Sequence, residues 1–190
     1  MMNIQRTVLI LLAAGMAALP VDASAQERRF GPSVEASLGA SLGGGGLYHH
    51  RAGGAMDAVL TVPVASTSRS TVVLGLTGTA NGPMAVDDIC MVGPGDSCVE
   101  DYPTFMSLGV VGGVQRQLSS TLSSRLLAGP AYFQSVDGDD TFGLQGRVDV
   151  ARSTALPRVA LVASLRGSLL PRYEGETLRF AAVGVGLRIQ

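Results

Sequence analysis

The 190-residue chain contains no Lys and no Trp. All 14 of its basic residues are Arg, set against 15 acids for a formal net charge of −1. Without Lys and without a basic stripe, it has no electrostatic footprint for nucleic acid. Charge is scarce altogether, at 15% of residues against 46% hydrophobic. Disordered chains show the opposite balance. Long apolar runs are also missing. After the N-terminus no stretch reaches the ~20 residues of a spanning helix. A hydrophobic chain without a spanning helix leaves two architectures, a secreted β-protein or a membrane β-barrel. Histidine is limited to His49 and His50, and cysteine to Cys90 and Cys98.

The length suits a single domain after an address label. Residues 1–25 read as a secretory signal peptide, leaving 26–190 as the mature domain. Arg6 supplies the positive start, Val8 to Leu19 the apolar stretch, and Pro20 ends it. Ala23-Ser24-Ala25 then forms a small-residue cleavage site. In an exported chain, Cys90 and Cys98 are expected to form a disulfide across the turn-rich segment Met91 to Ser97. A metal pair or a redox pair competes with this, but the spacing is not C-x-x-C and no His is near.

What the chain has in abundance is alternation with a period of two. Val34, Ala36, Leu38, Ala40 and Leu42 alternate with Ser33, Glu35, Ser37, Gly39 and Ser41. Phe142, Leu144, Gly146, Val148 and Val150 alternate with Thr141, Gly143, Gln145, Arg147 and Asp149. Such patterns mark strands with two unlike faces. Eight segments behave this way: 33–43, 54–64, 70–80, 104–117, 122–134, 140–151, 157–169 and 177–189. Ordinary strands run ~5–6 residues, whereas a tilted strand crossing a bilayer needs ~9–11. The connections at 65–69, 118–121 and 152–156 are short. Those at 44–53, 81–103, 135–139 and 170–176 are mostly longer and rich in Gly, Pro and Asp.

Side-chain chemistry separates the two ends. Tyr48, Tyr102, Phe105, Tyr132, Phe133, Phe142, Tyr173 and Phe180 lie in or beside the longer connections. They are expected to form an aromatic girdle at one membrane interface. Ten acids cluster there as well, among them Asp87, Asp88, Asp96, Glu100, Asp101, Asp137, Asp139 and Asp140. Arg28, Arg29, Arg69, Arg116, Arg152 and Arg158 occupy the other end.

Together these features resemble the small eight-stranded outer-membrane β-barrels of Gram-negative bacteria, with OmpA-type and OmpX-type barrels. The likeness spans nearly all of residues 30–190. It is plainest from Val114 through Gln117-Leu118-Ser119-Ser120-Thr121 to Leu126, two strands joined by a tight polar turn. The last strand, Leu178 to Gln190, is similar to the family's assembly-signal strand. It ends Leu187-Arg188-Ile189-Gln190 where family members end in an aromatic residue. The resemblance implies an all-β, eight-stranded antiparallel up-and-down barrel in the bacterial outer membrane. It implies contact with membrane lipids and lipopolysaccharide, handling by the outer-membrane assembly machinery, and a monomer.

If the apolar faces meet lipid, Glu35, Asp57 and Asp149 share the lumen with Arg125, Arg147, Arg166 and Arg188. An eight-stranded barrel is only wide enough for side chains to fill it, and buried charges must pair or stay hydrated. Closing the barrel brings the first and last strands together. Glu35 and Arg188 are therefore expected to approach, with Arg147 or Arg125 nearby. The expected role is structural or surface-loop interaction over a plugged lumen. The alternatives are a narrow porin-like path for ions or small solutes, and a soluble periplasmic lipocalin-like barrel. Arg147 and Gln145 against Leu144 and Val148 discriminate: a polar lumen means membrane, an apolar lumen means lipocalin.

Catalytic chemistry has little to work with. His49 and His50 have Ser41 and Asp57 in their vicinity but form no recognisable motif. Asp137-Gly138-Asp139-Asp140 lacks the twelve-residue calcium-loop pattern. Gly43 to Gly46 is not followed by Lys-Ser/Thr and reads as a flexible loop. No enzyme activity, cofactor or metal is expected.

Overall fold

A computed structural model of the chain describes residues 31–45, 48–67, 70–83, 104–135, 140–173 and 176–190. Residues 1–25, Cys90, Cys98, Asp137 and Asp139 lie outside these, as do the side chains of His49 and His50. Eight strands follow in order: β1 (Ser33–Gly45), β2 (Tyr48–Ser66), β3 (Ser70–Pro83), β4 (Phe105–Gln117), β5 (Leu122–Ser135), β6 (Thr141–Ser153), β7 (Val159–Tyr173) and β8 (Glu176–Ile189). Each pairs antiparallel with its sequence neighbours, and β1 pairs with β8 to close the barrel. Closure leaves no open sheet edge.

The alternation read from the sequence sets which way each side chain points. Odd-numbered residues face inward from β1 to β6, and even-numbered residues from β7 onward. The switch occurs in the β6–β7 connection. There Thr154 donates its N–H to the Val159 carbonyl at 3.0 Å, and Arg158 adopts a left-handed φ of 66°. The β4–β5 turn is equally tight. The N–H groups of Leu118 and Ser119 both reach the Leu122 carbonyl, at 2.9 and 3.0 Å. The Ser119 hydroxyl accepts from the Leu122 N–H at 3.2 Å, as Ser does in local turn motifs.

Two of the expected long connections are in fact strand. β1 runs through Gly43 and Gly44 to Gly45, and β2 resumes at Tyr48, with Gly45 opposite Tyr48. Gly43–Gly45 are therefore ladder with a register shift, not a flexible loop, and Gly46 lies outside the described residues. Likewise β7 extends past a shift between Leu170 and Tyr173, so only 174–175 separate it from β8. Glycine weakens a strand but keeps both of its ladder groups, so a paired partner can still hold it. The one long connection left lies between Pro83 and Phe105. Pro130 explains a local gap. Pairing of β4 with β5 skips from Gly109–Ala131 to Gly112–Ala128, where proline offers no N–H.

Candidate functional site

The facing of β6 decides between the two β architectures. Gln145 and Arg147 are 6% and 5% exposed, while Leu144 and Val148 are 58% and 46% exposed. The lumen is polar and the outer wall is apolar. That is the reverse of a soluble lipocalin-like barrel, so that alternative is discarded. Leu38, Leu74, Val110, Leu126, Leu165 and Val185 continue the apolar wall around the barrel. From Phe142 to Val150 the belt advances eight residues. At ~3.4 Å per residue and a ~40° tilt this is about 21 Å of height, close to the ~25 Å band of membrane barrels. Outward Arg116, Arg152 and Arg158 bound it at the end where β1 begins and β8 finishes, and Arg179 at the other.

Inside, the structure brings Glu35, Arg125, Arg147, Asp149 and Arg188 into one cage. β1–β8 closure sets Glu35 opposite Arg188, and β5–β6 pairing sets Arg125 opposite Asp149. Each of the three guanidiniums touches both carboxylates. Arg125 donates from Nη2 to Glu35 Oε2 at 2.6 Å and from Nε to Asp149 Oδ2 at 2.8 Å. Arg188 donates from Nε to Glu35 Oε2 at 2.9 Å and from Nη2 to Asp149 Oδ2 at 3.3 Å. Arg147 pairs with Glu35 Oε1 through Nη2 and with Asp149 Oδ1 through Nε. All five side chains are buried. Charges this deep are tolerable because each is paired and hydrogen-bonded.

Asp57 and Arg166 form the adjoining tier. Asp57 Oδ2 lies 2.7 Å from Arg147 Nη1 and 3.7 Å from Arg166 Nη1, and its Oδ1 accepts from the Ser37 hydroxyl. Arg166 also donates to Asn81. Gln145 donates to the Thr77 hydroxyl, and Thr79 and Ser107 share a hydrogen bond of 2.6 Å. Inward glycine makes room for these side chains. A Cβ on Gly109 would meet the Gln145 amide and come within 2.9 Å of the Ala131 methyl.

Sequence reasoning missed a second kind of lumen filling. Phe105, Phe133 and Phe180 were expected in an outward girdle, yet all three point inward with Ala131, Leu170 and Leu178. Phe105 and Phe180 meet edge to face at 5.1 Å. Of the described aromatics only Tyr132 and Phe142 remain on the outer wall, 5.2 Å apart. Val59, Val73, Val111 and Leu127 form a second apolar cluster inside. The missed signal was parity: Phe133 shares its number parity, hence its face, with Arg125 on the same strand. Among the described residues no group of three or more His, Cys, Asp or Glu is placed to hold a metal.

No protein-family model matches the chain, and no curated protein matches it. Among solved structures, the crystal structure of Neisserial surface protein A (NspA) superposes with a TM-score of 0.65 at 14% identity. That match covers 84% of this chain and 97% of that one. Ail, the attachment invasion locus protein of Yersinia pestis, gives 0.45 at 15% identity over 84% of this chain and 100% of that one. A de novo designed transmembrane β-barrel gives 0.39 at 14% identity over 86% and 100%. The closed ring of eight antiparallel strands, polar inside and apolar outside, is the fold of the small eight-stranded outer-membrane β-barrels.

Proposed function

We propose that the chain is an exported outer-membrane β-barrel with a closed lumen, a scaffold that presents the β3–β4 connection to the outside. The observation that carries this is the inverted polarity, an apolar belt around an ion-paired interior. In water such a belt would be a very large exposed apolar surface. In lipid it is the ordinary wall of a barrel. Residues 1–25 supply export, and the assembly machinery and surrounding lipopolysaccharide are the expected contacts. A barrel with no free edge has no backbone reason to associate, which favours a monomer. The connection at 84–103 holds five acids and both cysteines. Specificity belongs there, since loops on a rigid frame carry function, and a Cys90–Cys98 bridge would restrain it.

A narrow passive pore is the second reading. The arginine–carboxylate cage and the phenylalanine cluster both fill the lumen, so the closed reading is preferred. The test is an outer-membrane fraction run on cold SDS gels, boiled against unboiled, with planar-bilayer recording of the same protein. A mobility shift without conductance above the detergent control is expected. No shift and a freely soluble product would sink the barrel reading, and steady conductance would replace the plug with the pore.

A further inference from the structure

Four guanidiniums and three carboxylates occupy the described lumen, so it holds one more positive charge than negative. The excess can be localised. Arg125, Arg147 and Arg188 share Glu35 and Asp149, whereas Arg166 reaches a carboxylate only at 3.7 Å, on an Asp57 that already pairs with Arg147. β6–β7 pairing also sets Arg147 and Arg166 directly opposite each other. Like charges so placed are destabilising. Asp57, the one described carboxylate within reach of both, is a single negative charge shared between two guanidiniums, 2.7 Å from Arg147 but 3.7 Å from Arg166.

The hydrogen-bond ledger leans the same way. Among the described residues, Asn81 Nδ2, Gln115 Nε2, and Nη1 of Arg166 and Arg188 are buried without a hydrogen-bond partner in the protein, and Arg147 Nη1 meets only the Asp57 carboxylate, at 2.7 Å. Every one is a donor. A cavity of about 10 Å³ lies between the apolar side chains of Val59, Val111 and Leu127 and the polar ones of Arg147, Arg166, Thr77 and Gln145. It has room for one small guest, which leaves out phosphate, sulfate and carboxylates. Thr77 accepts from Gln145, so its own hydroxyl hydrogen is free to donate.

We propose that this cavity is a binding site for a single monatomic anion, chloride or its equivalent, held by Arg166 and Arg147 with the Thr77 hydroxyl. A water would bring two hydrogens into a place already rich in donors. A halide brings only acceptor capacity and cancels the surplus charge. Arg166, 4% exposed, is the anchor. The inference depends on the lumen alone and stands whatever the outer connection binds.

The test is anomalous diffraction. The full chain is refolded into detergent with bromide as the sole halide, so that access through the filled lumen is not limiting, and then crystallised. An anomalous peak is expected in the cavity within hydrogen-bond distance of Arg166 Nη1. It should vanish in Arg166→Met and persist in Arg179→Met, whose arginine lies on the outer wall. A water there with no anomalous signal would overturn the proposal, as would bromide found only at surface arginines. Should Arg166→Met fail to fold, the wild-type measurement decides alone.

Discussion

Glu35 shows how much one side chain can hold in a lumen this narrow. It accepts from Arg125, Arg147 and Arg188 and is wholly buried. Removing it by Glu35→Met leaves three guanidiniums short of a partner. Breaking a buried pair from one side costs about 3–5 kcal/mol. We expect a loss of that size in urea unfolding of the bilayer-inserted barrel. Adding Arg188→Met should then recover stability, because the lumen returns to its original surplus of one positive charge. A double variant no more stable than Glu35→Met would show that shape, not charge, is what Glu35 supplies. The approach of Glu35 to Arg188 was legible from the sequence because closing an even-stranded barrel forces its first and last strands together. The inward turn of Phe105, Phe133 and Phe180 was obscured because their nearness to the connections was weighed above their strand parity. The apolar cluster of Val59, Val73, Val111 and Leu127 lay hidden for a related reason. A lumen read as polar leaves no place for valine, yet a barrel this narrow needs volume filled by whatever fits between glycines.

At the scale of elements, strand number and order followed from alternation, and strand ends did not. Gly43–Gly45 look like breakers, but each keeps a ladder partner on β2 or β8, and Pro171 sits in the register shift between Leu170 and Tyr173, past which β7 pairs again. What terminates a strand here is the end of pairing rather than the residue type. The β3–β4 connection is the exception, with pairing down to Asn81 opposite Phe105. The ladder is complete without residues 84–103, and shortening a connection changes closure entropy only slowly. Replacing residues 85–101 with Asn-Gly should therefore leave the boiled-against-unboiled gel shift intact. The same excision should abolish whatever surface interaction the protein makes. A variant that no longer shifts on the gel would mean this segment helps form the barrel. By contrast, lengthening the 118–121 turn disturbs the hydrogen bonds from Leu118 and Ser119 to Leu122.

For the whole molecule, the decisive property is a gradient of environment along the barrel axis. Leu144 lies outward within the belt, between Phe142 and Val148, whereas Leu118 sits outward in the β4–β5 turn, beyond the belt's boundary arginines. Both are more than half exposed, at 58% and 53%. In water the two positions would be nearly equivalent, and an arginine at either would cost little. In a bilayer they differ by depth: an outward arginine near the midplane costs about 2–4 kcal/mol, and one near the interface about 0–1. Leu144, a quarter of the way into the belt from Phe142, falls between these limits, so Leu144→Arg should destabilise the barrel in lipid more than Leu118→Arg. In the same background, Leu127→Arg should be worse than either, since Leu127 is fully buried beside an already positive lumen. Urea titration of the three variants in vesicles orders them. Equal small effects for Leu144→Arg and Leu118→Arg would mean that the apolar wall faces something other than hydrocarbon. The predicted order arises only if lipid surrounds the wall while the lumen stays closed, because the depth term acts outside and the charge surplus inside.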